Sequence, residues 1–311
     1  MAVYTQINKS ELQDWLKNFS IGNLKSFKGI SSGVTNTNYI VETESNKFIL
    51  TIFEHNQMEE LPFFFDLMGF LASKNFPCPL PLKNNNNTNL TPLKDKPAVL
   101  VSFLLGAAKE SIAENDCYAV GEALAKFHTS TIGFSGKRKN NRDIDWISNK
   151  FNELKRNLSS FDQRIIELEI DYQKHSHING LPVGIIHGDL FRDNVFFHQN
   201  KLSAFIDFYY ACNDYFVLDL AIVINDWCSN TDGTIKKEKF DQFLSGYQSI
   251  RKLESLEFEC LQNSLRLSAL RFWISRLDAY YNIFKDENNL IKDPDHFKKV
   301  LLDRQRYEAI S

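Results

Sequence analysis

Between residues 184 and 208 the chain gathers His187, Asp189, Asp193, Asn194 and Asp207 among short apolar runs. The runs Gly184 to Ile186 and Val195 to Phe197 read as buried strands holding a polar loop between them as a hairpin. Leu202 to Ile206 reads as a third strand that ends at Asp207. Carboxylates and an amide placed this way suit phosphoryl transfer. That reaction needs one carboxylate to orient an attacking hydroxyl and two oxygen ligands to hold magnesium against nucleotide phosphates. Most of its catalysis is positioning and charge neutralisation. On this reading Asp189 is the catalytic base, and Asn194 and Asp207 are the metal ligands. His187 belongs to the catalytic loop as a brace more than as a proton carrier. The competing reading is an ordinary polar turn with Asp189 as a capping residue. The asparagine offset and the strand-terminal aspartate downstream weigh against it.

The elements that must position this loop change character along the chain. Ser10-Glu11-Leu12-Gln13 reads as a capping box opening a short helix with Leu12, Trp15, Leu16 and Phe19 on one side. Leu24 to Gly29, Asn38 to Glu42 and Lys47 to Phe53 then read as an antiparallel meander. Between its first two strands lies a loop of small and hydroxyl residues. There Ser31, Ser32, Gly33, Val34 and Thr35 let backbone N–H groups surround an anion, so they are expected to cover nucleotide phosphates. Met58 to Asn75 carries apolar residues at helical spacing and is closed by Pro77 and Pro79. Asn84 to Asn89 reads as a solvated turn. Pro97 to Phe103 is a continuous apolar strand. In a two-lobed kinase it would be the last strand of the small lobe, leading through Ser102 and Leu104 into a hinge whose backbone pairs with adenine.

Beyond Ala113 the pattern is helical, interrupted only by the catalytic stretch. It resumes at Asp214 to Trp227, Glu238 to Ile250, Glu254 to Tyr281 and His296 to Arg306. The expected fold is α+β and two-lobed. Residues 1–103 form a small antiparallel-sheet nucleotide-binding lobe, and residues 104–311 form a mainly helical catalytic and substrate-binding lobe.

Composition narrows the partners. The 311 residues are 43% hydrophobic and 24% charged, as in globular chains. A formal charge of -3 gives no electrostatic reason to expect nucleic acid or an anionic membrane. No apolar run reaches membrane-spanning length, and residues 1–8 lack a signal-peptide layout. The five cysteines are scattered without a C-x-x-C pair, which fits a reducing cytoplasm and neither a disulfide framework nor a zinc site.

The spacing H-x-D-x-x-x-x-N, followed by Ile206-Asp207-Phe208, resembles the catalytic loop and metal-binding aspartate of protein kinases. Taken whole, the chain is similar to the aminoglycoside phosphotransferase-like branch of the protein-kinase-like family. The segments Gly33 to Tyr39, Phe48 to Glu54, Asp207 to Asp214 and Leu270 to Leu277 resemble its bacterial homoserine kinases. The resemblance implies ATP and Mg2+ as cofactors, Asp189 as catalytic aspartate, and Asn194 and Asp207 on the metal. It also implies that Asp219 ties down the loop backbone. One departure stands out: Thr51 occupies the third-strand position where most kinases carry a phosphate-gripping lysine, and Phe65 lies near the place of its glutamate partner. Lys47 lies on the same strand face as Thr51.

The resemblance further implies phosphorylation of the small molecule L-homoserine in threonine biosynthesis, by a cytoplasmic monomer or dimer. Such a substrate calls for an arginine fork, an acidic or amide partner for its ammonium, and Asp189 for its hydroxyl. Arg271 or Arg266 is expected at the carboxylate, with Asn213, Asp214 or Asp226 near the ammonium and Asn36 and Asn38 as further substrate-binding residues. Two alternatives stay open. One is a kinase for choline, ethanolamine, methylthioribose or an aminoglycoside, and the other is a non-catalytic nucleotide-binding module.

Overall fold

The computed structural model describes residues 5–30, 35–176, 180–283 and 292–306. Two compact units are present: Met1–Gly106 with Phe134–Gly136 and Ser203–Ile206, and Ala107–Gly133 with Lys137–Leu202 and Asp207–Ser311.

The first unit opens with helix α1 (Lys9–Leu16). Its cap is Asn8, two residues ahead of the expected Ser10. The Asn8 side chain accepts the Glu11 N–H at 3.0 Å, and Glu11 accepts the Asn8 N–H at 2.8 Å. Glu11 completes the box with a full negative charge at the positive end of the helix, which Gln13 cannot supply. Strands β1 (Leu24–Gly29), β2 (Thr37–Thr43) and β3 (Lys47–Ile52), helix α2 (Leu61–Ser73) and strand β4 (Ala98–Ser102) follow. The strands form one antiparallel sheet in chain order. Strict alternation places Tyr39, Val41, Phe48, Leu50, Ile52 and Leu100 in a core with Leu12, Trp15 and Leu16 of α1. The opposite face carries Asn38, Ile49, Thr51, Val99 and Val101, with Asn38 opposite Thr51 and Thr51 opposite Val99.

The second unit contains α3 (Glu114–Ser130), α4 (Ile144–Leu154), α5 (Ser160–His175), β5 (Val183–Ile186), β6 (Val195–His198), and, after β7 (Lys201–Phe205), β8 (Cys212–Tyr215), α6 (Phe216–Trp227), α7 (Lys237–Ile250), α8 (Ser255–Asp278) and α9 (Pro294–Arg306). β5 pairs with β8, and β6 with β7. The expected hairpin between β5 and β6 therefore does not form. The loop joins two separate two-stranded sheets, and residues Asp214 and Tyr215 extend β8 instead of opening the following helix.

Every residue of α6 from Val217 to Trp227 is buried. A helix buried on all sides is one surrounded by others. Here Leu218 and Ile222 join Ile147, Phe151, Ile166, Leu270, Trp273 and Phe297 in a single core. α3 and α7 approach closely, since a Cβ on Gly246 would lie 2.0 Å from the Tyr118 carbonyl oxygen. That proximity sets Tyr247 beside His128.

Among the described residues, no helix is long and apolar enough to cross a membrane.

Candidate active site

The loop after β5 is short and its backbone is held from several directions. Gly188 has φ +74°, and a Cβ there would meet the Tyr210 carbonyl oxygen at 2.7 Å, so only glycine fits. From the first turn of α6, the fully buried Asp219 accepts the His187 N–H at 2.7 Å and the Gly188 N–H at 2.9 Å. From the far end of the same helix, Asp226 accepts the Arg192 N–H at 2.8 Å and pairs with its guanidinium at 3.2 Å. Trp227 Nε1 donates to the Leu190 carbonyl at 3.2 Å. From α8, Arg271 donates to the Gly188 carbonyl at 2.7 Å.

Behind Asp219 stands a buried polar chain. His128 on α3 places Nε2 at 3.1 Å from Asp219 Oδ2 and Nδ1 at 2.8 Å from the Tyr247 hydroxyl. Arg251 donates to that hydroxyl at 3.3 Å and forms a two-pronged pair with Glu257 at 2.9 and 3.0 Å. Burial pushes His128 down, against the hydrogen bond to Asp219, and so favours the neutral ring. The assignment consistent with all partners is Nε2–H donating to Asp219 and Nδ1 accepting from Tyr247. Burial alone would raise Asp219, but the hydrogen bonds from His128 and from the His187 N–H hold the carboxyl below its ordinary value.

The loop presents Asp189 beside Asn194. Asn194 Nδ2 donates to the Asp189 carbonyl at 2.8 Å and to its carboxylate at 3.2 Å, which leaves Asn194 Oδ1 as an oxygen donor for another group. Asp207 adopts the left-handed region, φ +62° and ψ +62°, which aspartate tolerates better than most side chains. Burial and the neighbouring Asp193 push Asp207 up to about 6, partly opposed by the Tyr209 N–H and Lys292. Burial and the charge of Asp207 push Asp189 well above its usual range, against the pull of Arg271. Buried carboxylates raised by neighbouring carboxylates in this way are the electrostatic setting in which a cation is captured. Among the described residues no trio of His, Cys, Asp or Glu is placed to hold a metal. An amide oxygen plus one carboxylate instead fits a hard divalent ion that takes its remaining ligands from phosphates and water.

The other expected site residues have distinct surroundings. Ser31, Ser32, Gly33 and Val34 lie outside the described residues, and Thr35 is exposed. Thr51 donates to Asn38 Oδ1 at 2.8 Å, and Phe65 packs against Phe53 with ring centroids 6.1 Å apart. A hydrogen bond and an aromatic contact thus occupy these two positions. Lys47 is exposed at the opposite end of β3 and faces Glu42 at 4.0 Å. Asn36 accepts the Glu54 N–H at 3.4 Å. Ser102 is engaged with Leu80 through both its N–H and its hydroxyl, each at 2.9 Å, whereas Leu104 is half-buried in the segment that follows.

On the substrate side, Asn213 binds the Arg138 backbone, its side chain accepting the N–H at 2.9 Å. Asp214 accepts from Asn140 at 2.7 Å, and burial raises its carboxyl. Arg266 forms a two-pronged pair with the buried Glu169, its Nη2 at 2.7 Å, and lies 3.5 Å over the Tyr172 ring. That employment ties α8 to α5. Arg271 has only the Gly188 bond among the described residues. Nothing in the sequence pattern singles out the pairing of His128 with Tyr247 behind the loop. A histidine on the apolar side of α3, next to Phe127, was the available signal for the first of the two.

A model described as the phosphotransferase enzyme family matches residues 26–253. The chain belongs to this family of phosphotransferases. It is 39% identical over 301 residues to a homoserine kinase of Methylobacillus flagellatus, covering 97% of this chain and 94% of that one. It is 42% identical over 281 residues to a homoserine kinase of Agrobacterium fabrum, with 89% and 87% covered. Among solved structures, amicoumacin kinase hAmiN in complex with AMP-PNP, Ca2+ and Ami is similar with a TM-score of 0.71 at 16% identity, over 96% of this chain and 92% of that one. This last likeness is one of fold.

Proposed function

We infer that this chain is an ATP-dependent kinase that phosphorylates the side-chain hydroxyl of L-homoserine to O-phospho-L-homoserine, the step that feeds threonine synthesis. The observation that carries the chemistry is the loop on which Asn194 holds the Asp189 carboxylate while Asp219 and Asp226 fix the backbone on either side. Likeness over nearly the whole chain to homoserine kinases supports the choice of substrate.

Asp189 orients the acceptor hydroxyl and takes its proton as the oxygen attacks the terminal phosphate. Its raised proton affinity suits that task. Asn194 Oδ1 and Asp207 are the residues that would hold Mg2+, which when bound neutralises charge on the phosphates. The loop of residues 31–35 is proposed to cover those phosphates, and Leu104 to offer backbone to adenine. Arg271 is the proposed carboxylate partner and Asp214 the ammonium partner. A reducing cytoplasm is the proposed compartment, and all five cysteines are free. Trp227 and Trp273 are each 1% exposed, so these two rings support no aromatic cage for a choline-type cation.

The test is ADP release with ATP and magnesium across homoserine, choline, ethanolamine, methylthioribose and kanamycin. The highest kcat/KM is expected on homoserine. A higher kcat/KM on another compound of this panel, or nucleotide binding without turnover, would overturn the assignment. Asp189→Asn should lower kcat by roughly 10²–10⁴-fold with ATP affinity unchanged, because the base meets the acceptor and not the nucleotide.

A further inference from the structure

We propose that Arg142, together with Arg271, forms the receptor for the acceptor's carboxylate, so that Arg142 sets the preference for an amino acid over an amino alcohol. The inference rests on the kinase reading above. Arg142 precedes α4, and its guanidinium lies 4.2 Å over the Trp146 ring and 5.7 Å from the Tyr210 ring centre. Arg271 stands 5.9 Å from the same Tyr210 ring. Two guanidiniums therefore flank one aromatic side chain. Tyr210 in turn sits against the catalytic loop, its carbonyl filling the space a side chain on Gly188 would need.

Neither guanidinium has a carboxylate within salt-bridge distance among the described residues. Among the described residues, the one hydrogen bond made by either guanidinium is from Arg271 to the Gly188 carbonyl. The nearby acids are otherwise employed. Asp143 caps α4 through the Trp146 N–H at 3.0 Å and pairs with Lys139 at 3.0 Å, and Asp214 is bound by Asn140. Arg266 makes the contrast on the same helix as Arg271, since Glu169 satisfies it completely enough to leave no fork for a ligand. Like charges held near each other with no carboxylate in direct contact are disfavoured until an anion arrives. Planar guanidiniums fixed on aromatic faces are preorganised for a carboxylate in particular. Arg271 of this pair is near enough to Asp189 to act on its charge, so a short amino acid whose hydroxyl meets the base would present its carboxylate on this side.

The experiment is steady-state kinetics of wild type, Arg142→Gln and Arg142→Lys with L-homoserine and with 3-amino-1-propanol, which keeps the ammonium and hydroxyl but lacks the carboxylate. Arg142→Gln should raise the KM for homoserine by roughly 10- to 100-fold, as expected for loss of a charge-assisted hydrogen bond. Its kcat, its KM for ATP and its activity on 3-amino-1-propanol should stay at wild-type values. Arg142→Lys retains the charge and the aliphatic stem, so it should fold if the glutamine variant does not, and should give an intermediate KM. Wild-type turnover of homoserine with an unchanged KM in both variants, or an equal loss on both acceptors, would overturn the carboxylate assignment alone. A wild-type protein inactive on homoserine would overturn the kinase reading, and this inference with it.

Discussion

Replacing Asp219 by asparagine keeps the shape of the side chain and removes its charge. The wild-type carboxylate accepts from His187 N–H and Gly188 N–H and sits 3.1 Å from His128 Nε2, in a fully buried position. Asparagine has one carbonyl oxygen and one amino group. His128 can adapt by moving its proton to Nδ1 and donating to Tyr247, but the two loop amides cannot. Whichever way the amide is turned, one backbone N–H faces an NH₂ group and loses its acceptor. An orphaned buried donor costs about 1–3 kcal/mol, and the surviving bonds lose their charge assistance, so a total of about 2–5 kcal/mol is expected. Domains of ordinary stability hold about 5–15 kcal/mol, so the variant should still fold. Urea unfolding measures the stability loss, and steady-state kinetics should show kcat falling by roughly 100-fold through displacement of the loop by about 1 Å. An unchanged unfolding midpoint with wild-type kcat would refute the claim that α6 holds the loop in place.

Burial lowers the proton affinity of His128, so the folded protein keeps the neutral ring and the unfolded chain binds the proton first. The contribution is therefore complete above the ordinary value of 6.5 and is lost as pH falls below it. Unfolding midpoints measured from pH 7.5 down to 5.5 should decline, and the decline should be shallower in His128→Gln; parallel profiles would remove His128 as a cause. Arg271→Ala should raise the KM for homoserine at least about tenfold and also lower kcat, because the same side chain holds the Gly188 carbonyl. A variant with both constants unchanged would exclude Arg271 from the site.

What could be read from the chain was what is local. Asp189, Asn194 and Asp207 stand out because apolar runs, a polar turn and a fixed offset all lie within two dozen residues. The pairing of the strands beside them was not local: β5 joins β8, and the last two residues of β8, Asp214 and Tyr215, run straight into a helix whose periodicity absorbs them. The start of α1 failed for a smaller reason, since Asn8 with Glu11 and Ser10 with Gln13 are overlapping patterns and only the charge of Glu11 decides between them. Arg266 and Arg271 are five positions apart on one helix and looked equivalent. Their difference comes from Glu169, 97 residues away, which no spacing announces. The same holds for Tyr247, 119 residues from the His128 it meets.

Because α6 grips the loop at both of its ends while lying wholly inside the packed helices, the chemical groups have no hinge of their own. The amide protons of His187, Gly188 and Arg192 are closed off by carboxylates that can leave only if the helix itself comes out of the interior. Such amides exchange with solvent through whole-unit opening and not through local fraying. Warming should then find no temperature at which the loop has softened while the scaffold stands, and the slowest-exchanging hydrogens in the protein should be found at the very place where its reaction occurs.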